Sequence, residues 1–204
     1  MRDYSQNKES LVLKSIFDII GTESNFAVEF GAGNGYDLSN IRYFLEQGWS
    51  GLQMEGIVSA DSNVKQEFIT KENINDLFKK YKVPANVDLV SIDIDGNDYW
   101  VWKELNYEPN VVLIEYNSNF PVGEKYALKY DANHIFEGYY SASISAFIDL
   151  AIQKGYYLCR EINFCNLIFI KNKFKEVIPE LDPYIIGLPK KHHAGIEVSK
   201  FTQV

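Results

Sequence analysis

The sequence predicts an α/β fold in which helices cover both faces of a seven-stranded mixed sheet. Apolar segments typical of strands alternate with segments of helical periodicity between residues 8 and 171. A glycine-rich turn follows the first strand, and acidic residues end later strands, at the edge where open α/β sheets bind ligands. Two consecutive strand-like segments, 156–161 and 166–171, predict the antiparallel pair that closes the sheet.

Length and composition indicate one domain over residues 1–204, with a core at about 8–171 and a C-terminal extension at 172–204. The chain is 46% hydrophobic and 24% charged, and residues 1–10 are polar. We therefore expect a cytoplasmic protein that does not contact membranes. The net charge of −8 disfavours nucleic acid as a partner, because proteins that bind a phosphate backbone usually present a basic face. Neither composition nor net charge indicates the oligomeric state.

The first predicted element is a helix over residues 8–20, which ends at Gly21. Its apolar side chains recur roughly on one helical face. They are Leu11, Ile16, Ile19 and Ile20. We expect this helix to cover an edge of the sheet or the mouth of a cofactor site.

The next segment, residues 26–36, is the most informative stretch of the chain. A short strand that contains Glu29 runs into Gly31, Gly33 and Gly35, and a helix is expected to begin near Asp37. Glycines allow a ligand to lie directly against the backbone at such a turn. The spacing E-x-G-x-G-x-G is neither the dinucleotide pattern G-x-G-x-x-G nor a phosphate loop that ends in G-K-[ST]. It therefore disfavours an oxidoreductase that uses NAD.

A second strand is predicted over residues 51–55, and Glu55 ends it. A carboxylate at that place in a doubly wound sheet can accept both ribose hydroxyls of an adenosine. The alternative is a solvated loop acid. A short third strand at 66–70 and a helix from Glu72 through Lys80 follow, where Asn73 is either an adenine contact or a helix N-cap.

The segment at residues 87–98 combines a buried parallel strand with a cluster of acids. Asp93, Asp95 and Asp98 follow the strand closely, and like charges in such proximity raise one another's pKa. A metal cation, an ammonium or a sulfonium nearby would remove that penalty. The aromatic residues that come next begin a helix, and Trp102 is expected in the core.

Another buried strand, at residues 110–117, ends in Glu115 and Asn117. It should lie beside the strand of Asp93, so that the side chains of Asp93, Glu115 and Asn117 converge. Oxygen ligands of this kind suit Mg²⁺ or Ca²⁺. The sequence therefore indicates a candidate divalent metal site here.

Residues 118–140 show no clear periodicity but are rich in aromatic side chains, which favours a functional substrate lid over disorder. The lid contains His134, the candidate general base. Ser141 or Ser143 then caps a helix that stops at Gly155. Cys159 and Cys165, near the final strand pair, are expected to be reduced thiols. They are not expected to form a disulfide.

The strings VEFGAGNGYDLSN, WSGLQMEG and VDLVSIDIDGNDYWVW resemble the class I methyltransferases that depend on S-adenosylmethionine (SAM), most of all the FkbM-type and macrocin-type O-methyltransferases. The resemblance covers roughly residues 8–171. It implies a Rossmann-like sheet and SAM as cofactor. It also implies cofactor contacts from Glu29, Gly31, Ala32, Gly33, Asn34, Gly35, Asp37, Glu55, Gly56, Asn73 and Asp93.

Several relatives of the macrocin type hold Mg²⁺ between the ends of the fourth and fifth strands, and Asp93, Glu115 and Asn117 match those positions. FkbM-like sequences usually carry glutamate where Asp95 stands, and many use no metal.

The resemblance also implies the reaction, which is methyl transfer from SAM to a hydroxyl of a small polyhydroxylated metabolite, such as a sugar or nucleotide-sugar.

His134 is the first candidate for activating that hydroxyl, and Asp93 or a metal is the alternative. His192 and His193 are interpreted as tail residues. A different class of function is a non-catalytic module that binds SAM or a nucleoside, or a subunit of an assembly.

Overall fold

A computed structural model describes residues 2–57, 63–187 and 197–204. The strands are, in chain order, β1 Phe26–Phe30, β2 Ser50–Glu55, β3 Lys65–Gln66, β4 Leu89–Ile92, β5 Val111–Glu115, β6 Tyr126–Leu128, β7 Tyr156–Ile162, β8 Asn166–Lys171 and β9 Phe201–Gln203. The α-helices are α1 Glu9–Ile20, α2 Arg42–Glu46, α3 Ile74–Lys80, α4 Asp98–Glu104 and α5 Ile144–Lys154.

Seven of these strands form one sheet in the order β3-β2-β1-β4-β5-β8-β7. The first five lie parallel to their neighbours, whereas β8 runs antiparallel to both β5 and β7. The chain builds outward from β1 to β3 and then returns to place β4 beside β1. This reversal opens a crevice at the carboxyl ends of β1 and β4, where such sheets bind ligands.

Alternating side chains of the strands feed two hydrophobic cores, one on each face of the sheet. Val28 and Phe30 of β1 join the core that buries α3, α4 and α5, whereas Ala27 joins the core that buries α1 and α2. Trp102 lies fully buried in the first core, as the sequence predicts. The predicted α/β architecture, with seven strands and helices on both faces, is therefore confirmed.

Two predicted elements differ in detail from those observed. Helix α1 buries Leu13, Ile16 and Phe17, whereas Ile19, which was assigned to its apolar face, is 59% exposed. The strand expected at residues 66–70 is only the two-residue strand β3, because its pairing with β2 ends at Glu55 and Gln66.

Local capping was predicted more accurately than helix faces. Ser143 precedes α5, and its side-chain oxygen accepts a hydrogen bond from the backbone N–H of Ala146. Gly155 ends the same helix in the left-handed conformation.

Cys159 and Cys165 are both free thiols. Among the described residues, no helix combines the length and hydrophobicity needed to cross a bilayer.

The segment predicted as a lid contains a strand that the sequence pattern does not indicate. Strand β6 pairs antiparallel with β9, which lies near the end of the chain. Phe120, Leu128 and Phe201 form a third, small buried cluster behind this pair. The rings of Phe120 and Phe201 meet edge to face, with centroids 4.9 Å apart. The C-terminal strand thus fixes the base of the lid.

Replacing Phe201 with Ala should loosen this base. Phe201 is 4% exposed, and removing a buried phenyl ring usually lowers the free energy of unfolding by about 3–5 kcal/mol. We expect a loss of about 3 kcal/mol in urea denaturation, since the cluster is small, and faster amide exchange across residues 126–142. The control is Val198→Ala, at a side chain that is 36% exposed. Unchanged exchange in the lid would contradict this role of β9.

Candidate functional site

A cavity of about 660 Å³ opens at the carboxyl ends of β1, β2, β4 and β5. This volume is within the range of small-molecule and cofactor sites. The predicted site residues that line the cavity are Glu29, Gly31, Ala32, Gly33, Asp37, Glu55, Gly56, Asp93, Glu115 and His134. Asn34, Gly35, Asn73 and Asn117, which were predicted as ligand contacts, are not part of its wall.

Gly31 lies where no larger residue fits. A Cβ atom there would stand 1.6 Å from the backbone oxygen of Asp93, and the φ angle of Gly31 is +69°. The turn after β1 therefore packs directly on the backbone that follows β4. The neighbouring Ala32 donates its N–H to the carbonyl of Met54 at 3.1 Å, which ties the turn to β2 as well.

Gly33 and Glu55 face each other across the cavity entrance. The Gly33 N–H donates to Oε2 of Glu55 at 2.9 Å, and the Ile57 N–H donates to Oε1 at 3.1 Å. These two bonds hold the carboxylate at the end of β2. Gly56 is beside it, and the exposed side chains of Ile57 and Phe68 add an apolar rim.

Asn34 organises the glycine turn from outside the cavity. Its Oδ1 accepts hydrogen bonds from the N–H groups of Tyr36 and Asp37, and its Nδ2 donates to Oδ2 of Asp37 at 2.8 Å. This arrangement positions Asp37 in the cavity wall. The structure thus gives Asn34 a supporting place in the turn.

Glu29 is a buried support for the same turn. It is 3% exposed, and its carboxylate accepts hydrogen bonds from Ser39 Oγ, the Asn40 N–H and Gln53 Nε2 at 2.6–2.9 Å. Burial raises its pKa, although these hydrogen bonds oppose the rise. The bonds hold residues 37–41 in an irregular loop, which explains why α2 begins at Arg42, later than the predicted start near Asp37.

Asn73 occupies the N-cap position of α3, which is one of its two predicted places. Its Oδ1 accepts from the Thr70 N–H and its Nδ2 donates to the Phe68 carbonyl, both at 2.8 Å. It precedes α3, but its side chain makes no capping hydrogen bond to that helix. Asn73 therefore shapes the loop that carries Phe68 to the cavity.

Three carboxylates form the acidic floor of the cavity. One oxygen from each of Asp93, Asp95 and Glu115 lies within 4.8 Å of the others. Burial is the largest cause that raises the pKa of Asp93 well above its ordinary value, and the charges of Asp98 and Asp95 add to it. Burial and the charge of Asp93 raise the pKa of Glu115 to about 10.

Asp98 supports this floor from beneath. It is fully buried, and it accepts hydrogen bonds from the N–H groups of Ile94 and Gly96 at 2.9 and 3.0 Å. Burial raises its pKa to about 6, against the effect of these bonds. The carboxylate thereby fixes the loop that displays Asp93 and Asp95.

Asn117 does not join the acids, in contrast to the predicted metal set. Its Nδ2 donates to the Tyr140 carbonyl, and its Oδ1 accepts two hydrogen bonds from Asn119. Both ends of the amide are thus occupied at the start of the lid. Asp95 takes the third place beside Asp93 and Glu115.

His134 reaches the cavity from the lid. Its ring packs against Gly96, where an added Cβ would lie 2.1 Å from Cδ2 of the imidazole. Nε2 is 3.1 Å from the carbonyl oxygen of Asp95. Because a carbonyl only accepts, Nε2 is the donor in this contact, and Nδ1 is the ring nitrogen that could accept a proton. Asn97 Nδ2 also binds the Asp131 carbonyl, which anchors the lid further.

Sequence reasoning missed three asparagines in the cavity wall, which are Asn40, Asn97 and Asn166. Asn40 and Asn166 are 6% and 2% exposed, and the Oδ1 atom of each has no hydrogen-bond partner among the described residues. Asn166 pairs with Glu115 across β5 and β8. Only that register could have revealed it. His192 and His193 lie outside the described residues.

Comparison with solved structures identifies the fold. The N-terminal domain of EvdMO1 with S-adenosylhomocysteine (SAH) bound superposes with a TM-score of 0.50 at 11% identity, over 82% of each chain. The same domain in the presence of SAH and D-fucose gives a TM-score of 0.47 at 13% identity, over 83% of this chain and 84% of that one. At such identities the first likeness establishes a shared methyltransferase-type fold and nothing more.

A weaker likeness links the chain to an S-adenosylmethionine-dependent methyltransferase from Clostridium acetobutylicum. The TM-score is 0.40 at 9% identity, over 81% of this chain and 92% of that one. No protein-family model matches the sequence, and no curated protein matches it. The closer assignment to FkbM-type or macrocin-type enzymes therefore stays a prediction.

The titration of Glu115 should appear in the stability of the ligand-free chain. Its pKa is raised from 4.5 in the folded state, so its stabilising contribution is complete below pH 4.5 and is lost as the pH rises toward 10. Glu115→Gln should flatten this decline by up to about 1.4 kcal/mol per pH unit. Urea denaturation between pH 5 and pH 9 measures the slope.

The control for this experiment is Glu176→Gln, which removes an acid at an exposed position. It should leave the pH dependence of the free energy of unfolding as it is in the original chain. Equal slopes for Glu115→Gln and the original chain would contradict the burial of a titrating carboxylate at this position.

Proposed function

We propose that this chain is a SAM-dependent methyltransferase that moves a methyl group to a hydroxyl of a small polyhydroxylated molecule. The observation that carries the proposal is one cavity with Glu55 and the glycine turn at one end and an acidic floor at the other. SAM presents complementary groups, since it has two ribose hydroxyls, a sulfonium and an ammonium. The fold shared with the SAH-bound domain of EvdMO1 supports this cofactor.

The two ends of the cavity suggest how SAM would lie. The Glu55 carboxylate would accept the ribose hydroxyls, and Ile57 and Phe68 provide apolar surfaces for the adenine. Gly31 and Gly33 leave the turn without side chains, so that the aminoacyl part can approach the backbone. Asp93 would then be available to the sulfonium, whose positive charge would stabilise the carboxylate.

SAM supplies an activated methyl group, and the protein's task is to align an acceptor oxygen with it. When bound, SAM would give its methyl group to the acceptor oxygen, and its sulfur would keep the electron pair of the broken CH₃–S bond and become a neutral thioether. The hydroxyl proton must leave during this step. Nδ1 of His134 is the base in our proposal, because its Nε2–H is held by the carbonyl of Asp95.

A divalent cation is the second candidate for activating the hydroxyl. Asp93, Asp95 and Glu115 offer hard oxygen ligands, and one oxygen of Glu115 has no hydrogen-bond partner among the described residues. When bound, such an ion would lower the pKa of an acceptor hydroxyl. In that case the three carboxylates hold the ion, and the Glu55 end of the cavity binds SAM as before.

The cofactor assignment is tested through Glu55. We expect SAM to bind the original chain in calorimetry, and Glu55→Gln to weaken binding by about 10- to 100-fold, because hydrogen bonds to a charged group contribute about 1.5–3 kcal/mol. Glu176→Gln, the exposed control, should bind SAM normally. Failure of the original chain to bind SAM would reject the methyltransferase proposal itself.

The base is tested by His134→Gln, a variant that can still donate to Asp95 but cannot accept a proton as imidazole does. With any acceptor that supports SAH release, turnover should fall by about 10²-fold or more while SAM affinity is retained. Asn133→Ala, at the adjacent exposed position, is the control. A turnover near that of the original chain would assign the proton to another group.

The cation is tested by removing it. If a metal activates the hydroxyl, EDTA should lower turnover at least tenfold, and added Mg²⁺ should restore it, because the alcohol would lose the charge that lowers its pKa. Asp95→Asn should bind Mg²⁺ more weakly than the original chain, so that a higher Mg²⁺ concentration is needed for half-maximal turnover. Turnover that EDTA leaves unchanged would reject a catalytic metal.

A further inference from the structure

We propose that the end of the cavity between β5 and β8 is a subsite for a protonated amine, and that the methyl acceptor is therefore a hydroxylated amine. The inference rests on the proposed function and makes its substrate class narrower. It depends on Glu115 and Asn166, which face each other in the register of β5 and β8 and both line the cavity.

This end of the cavity presents two buried oxygens, Oδ1 of Asn166 and Oε2 of Glu115, that have no partner within the described parts of the chain. The amide oxygen is an acceptor as it stands, and the Glu115 carboxyl becomes one when a cation beside it favours its ionised form. The amide of Asn166 cannot be turned around, because its Nδ2 donates to Oε1 of the fully buried Glu9 at 3.0 Å. Glu9 is held in turn by two bonds from Asn7. An unpaired buried oxygen is costly, and a ligand that donates hydrogen bonds would satisfy it.

The charge of the cavity selects the kind of donor. Of the described residues in its wall, seven are acidic and none is lysine or arginine. A phosphate group entering here would meet carboxylates with no cation to pair with it. Nucleotide-linked and phosphorylated acceptors are therefore poor candidates. A protonated amine supplies both the donors and the positive charge.

The spacing of the acids is compatible with an ammonium. One oxygen each from Asp93, Asp95 and Glu115 lie within 4.8 Å of one another. The tetrahedral donors of an ammonium hold acceptors roughly 4.6 Å apart when each N···O distance is about 2.8 Å. An amine and a divalent cation would thus compete for the same three carboxylates, and a displacement measurement distinguishes them.

The position of the subsite assigns it to the acceptor. Glu55 ends β2, and β1 and β4 separate that strand from β5 and β8. A SAM molecule that extends from Glu55 over β1 to Asp93 leaves the ends of β5 and β8 for the second substrate. A protonated amine has no lone pair, so it is the anchor here. A neighbouring hydroxyl of the same molecule is the nucleophile, and its proton goes to His134.

The test uses the full chain saturated with SAH and three hexose probes that differ in one substituent: glucosamine, glucose and glucose 6-phosphate. Saturation-transfer NMR measures the binding of each. We expect glucosamine to bind about tenfold or more tightly than glucose, and glucose 6-phosphate not to bind. Equal binding of glucose or glucose 6-phosphate, or no glucosamine signal while SAH is bound, would overturn the amine subsite.

Variants and a metal control complete the experiment. Asn166→Leu should bind SAH normally but lose the preference for glucosamine. The control Asn86→Leu, which changes an exposed asparagine, should keep that preference. A retained preference in Asn166→Leu counts against the proposal. Mn²⁺ that binds and displaces glucosamine would assign the acids to a metal and overturn it too. If SAH does not bind at all, the proposed function fails first; normal SAH binding without amine selectivity rejects only the subsite.

Discussion

The cavity depends on how closely the turn after β1 approaches the backbone after β4. At Gly31 the separation leaves no space for a Cβ atom, since the carbonyl oxygen of Asp93 occupies that position. The contact joins the two strand ends at which the chain reverses direction across the sheet. It exposes backbone on one side and carries the Asp93 carboxylate to the other. A ligand bound here would contact both the backbone of the turn and the Asp93 carboxylate. The same close contact therefore shapes the fold and forms the binding site.

Electrostatics then determine what the cavity can hold. Folding gathers carboxylates with raised pKa values into a space of about 660 Å³, and Asp98 fixes their loop from below. Such an arrangement lowers the stability of the ligand-free chain at neutral pH, and a cationic ligand would reverse the effect. In the proposed function, the sulfonium of SAM and an ammonium on the acceptor would both provide positive charge. The same acids would then influence cofactor choice, acceptor choice and stability.

The lid is held from two directions. At its base, β6 pairs with β9, and Phe201 packs behind that pair. Nearer the cavity, Asn97 binds the Asp131 carbonyl, and the indole N–H of Trp100 donates to the Leu128 carbonyl at 2.7 Å. These contacts position His134 over Gly96. The position of His134, the proposed base, is therefore fixed by contacts to the loop and helix that follow β4.

Sequence alone determined the features that depend on neighbours along the chain. Strand and helix periodicity, the glycine turn, the Ser143 cap and the acids at the ends of β2, β4 and β5 are all local patterns, and they predicted the fold and ten residues of the cavity wall. Tertiary structure decided the rest. Pairing across β5 and β8 placed Asn166 opposite Glu115, β9 joined β6 across more than seventy residues, and local bonds withdrew Asn117 from the acids. Such contacts join residues far apart in sequence or choose among competing hydrogen bonds, and no local pattern specifies either.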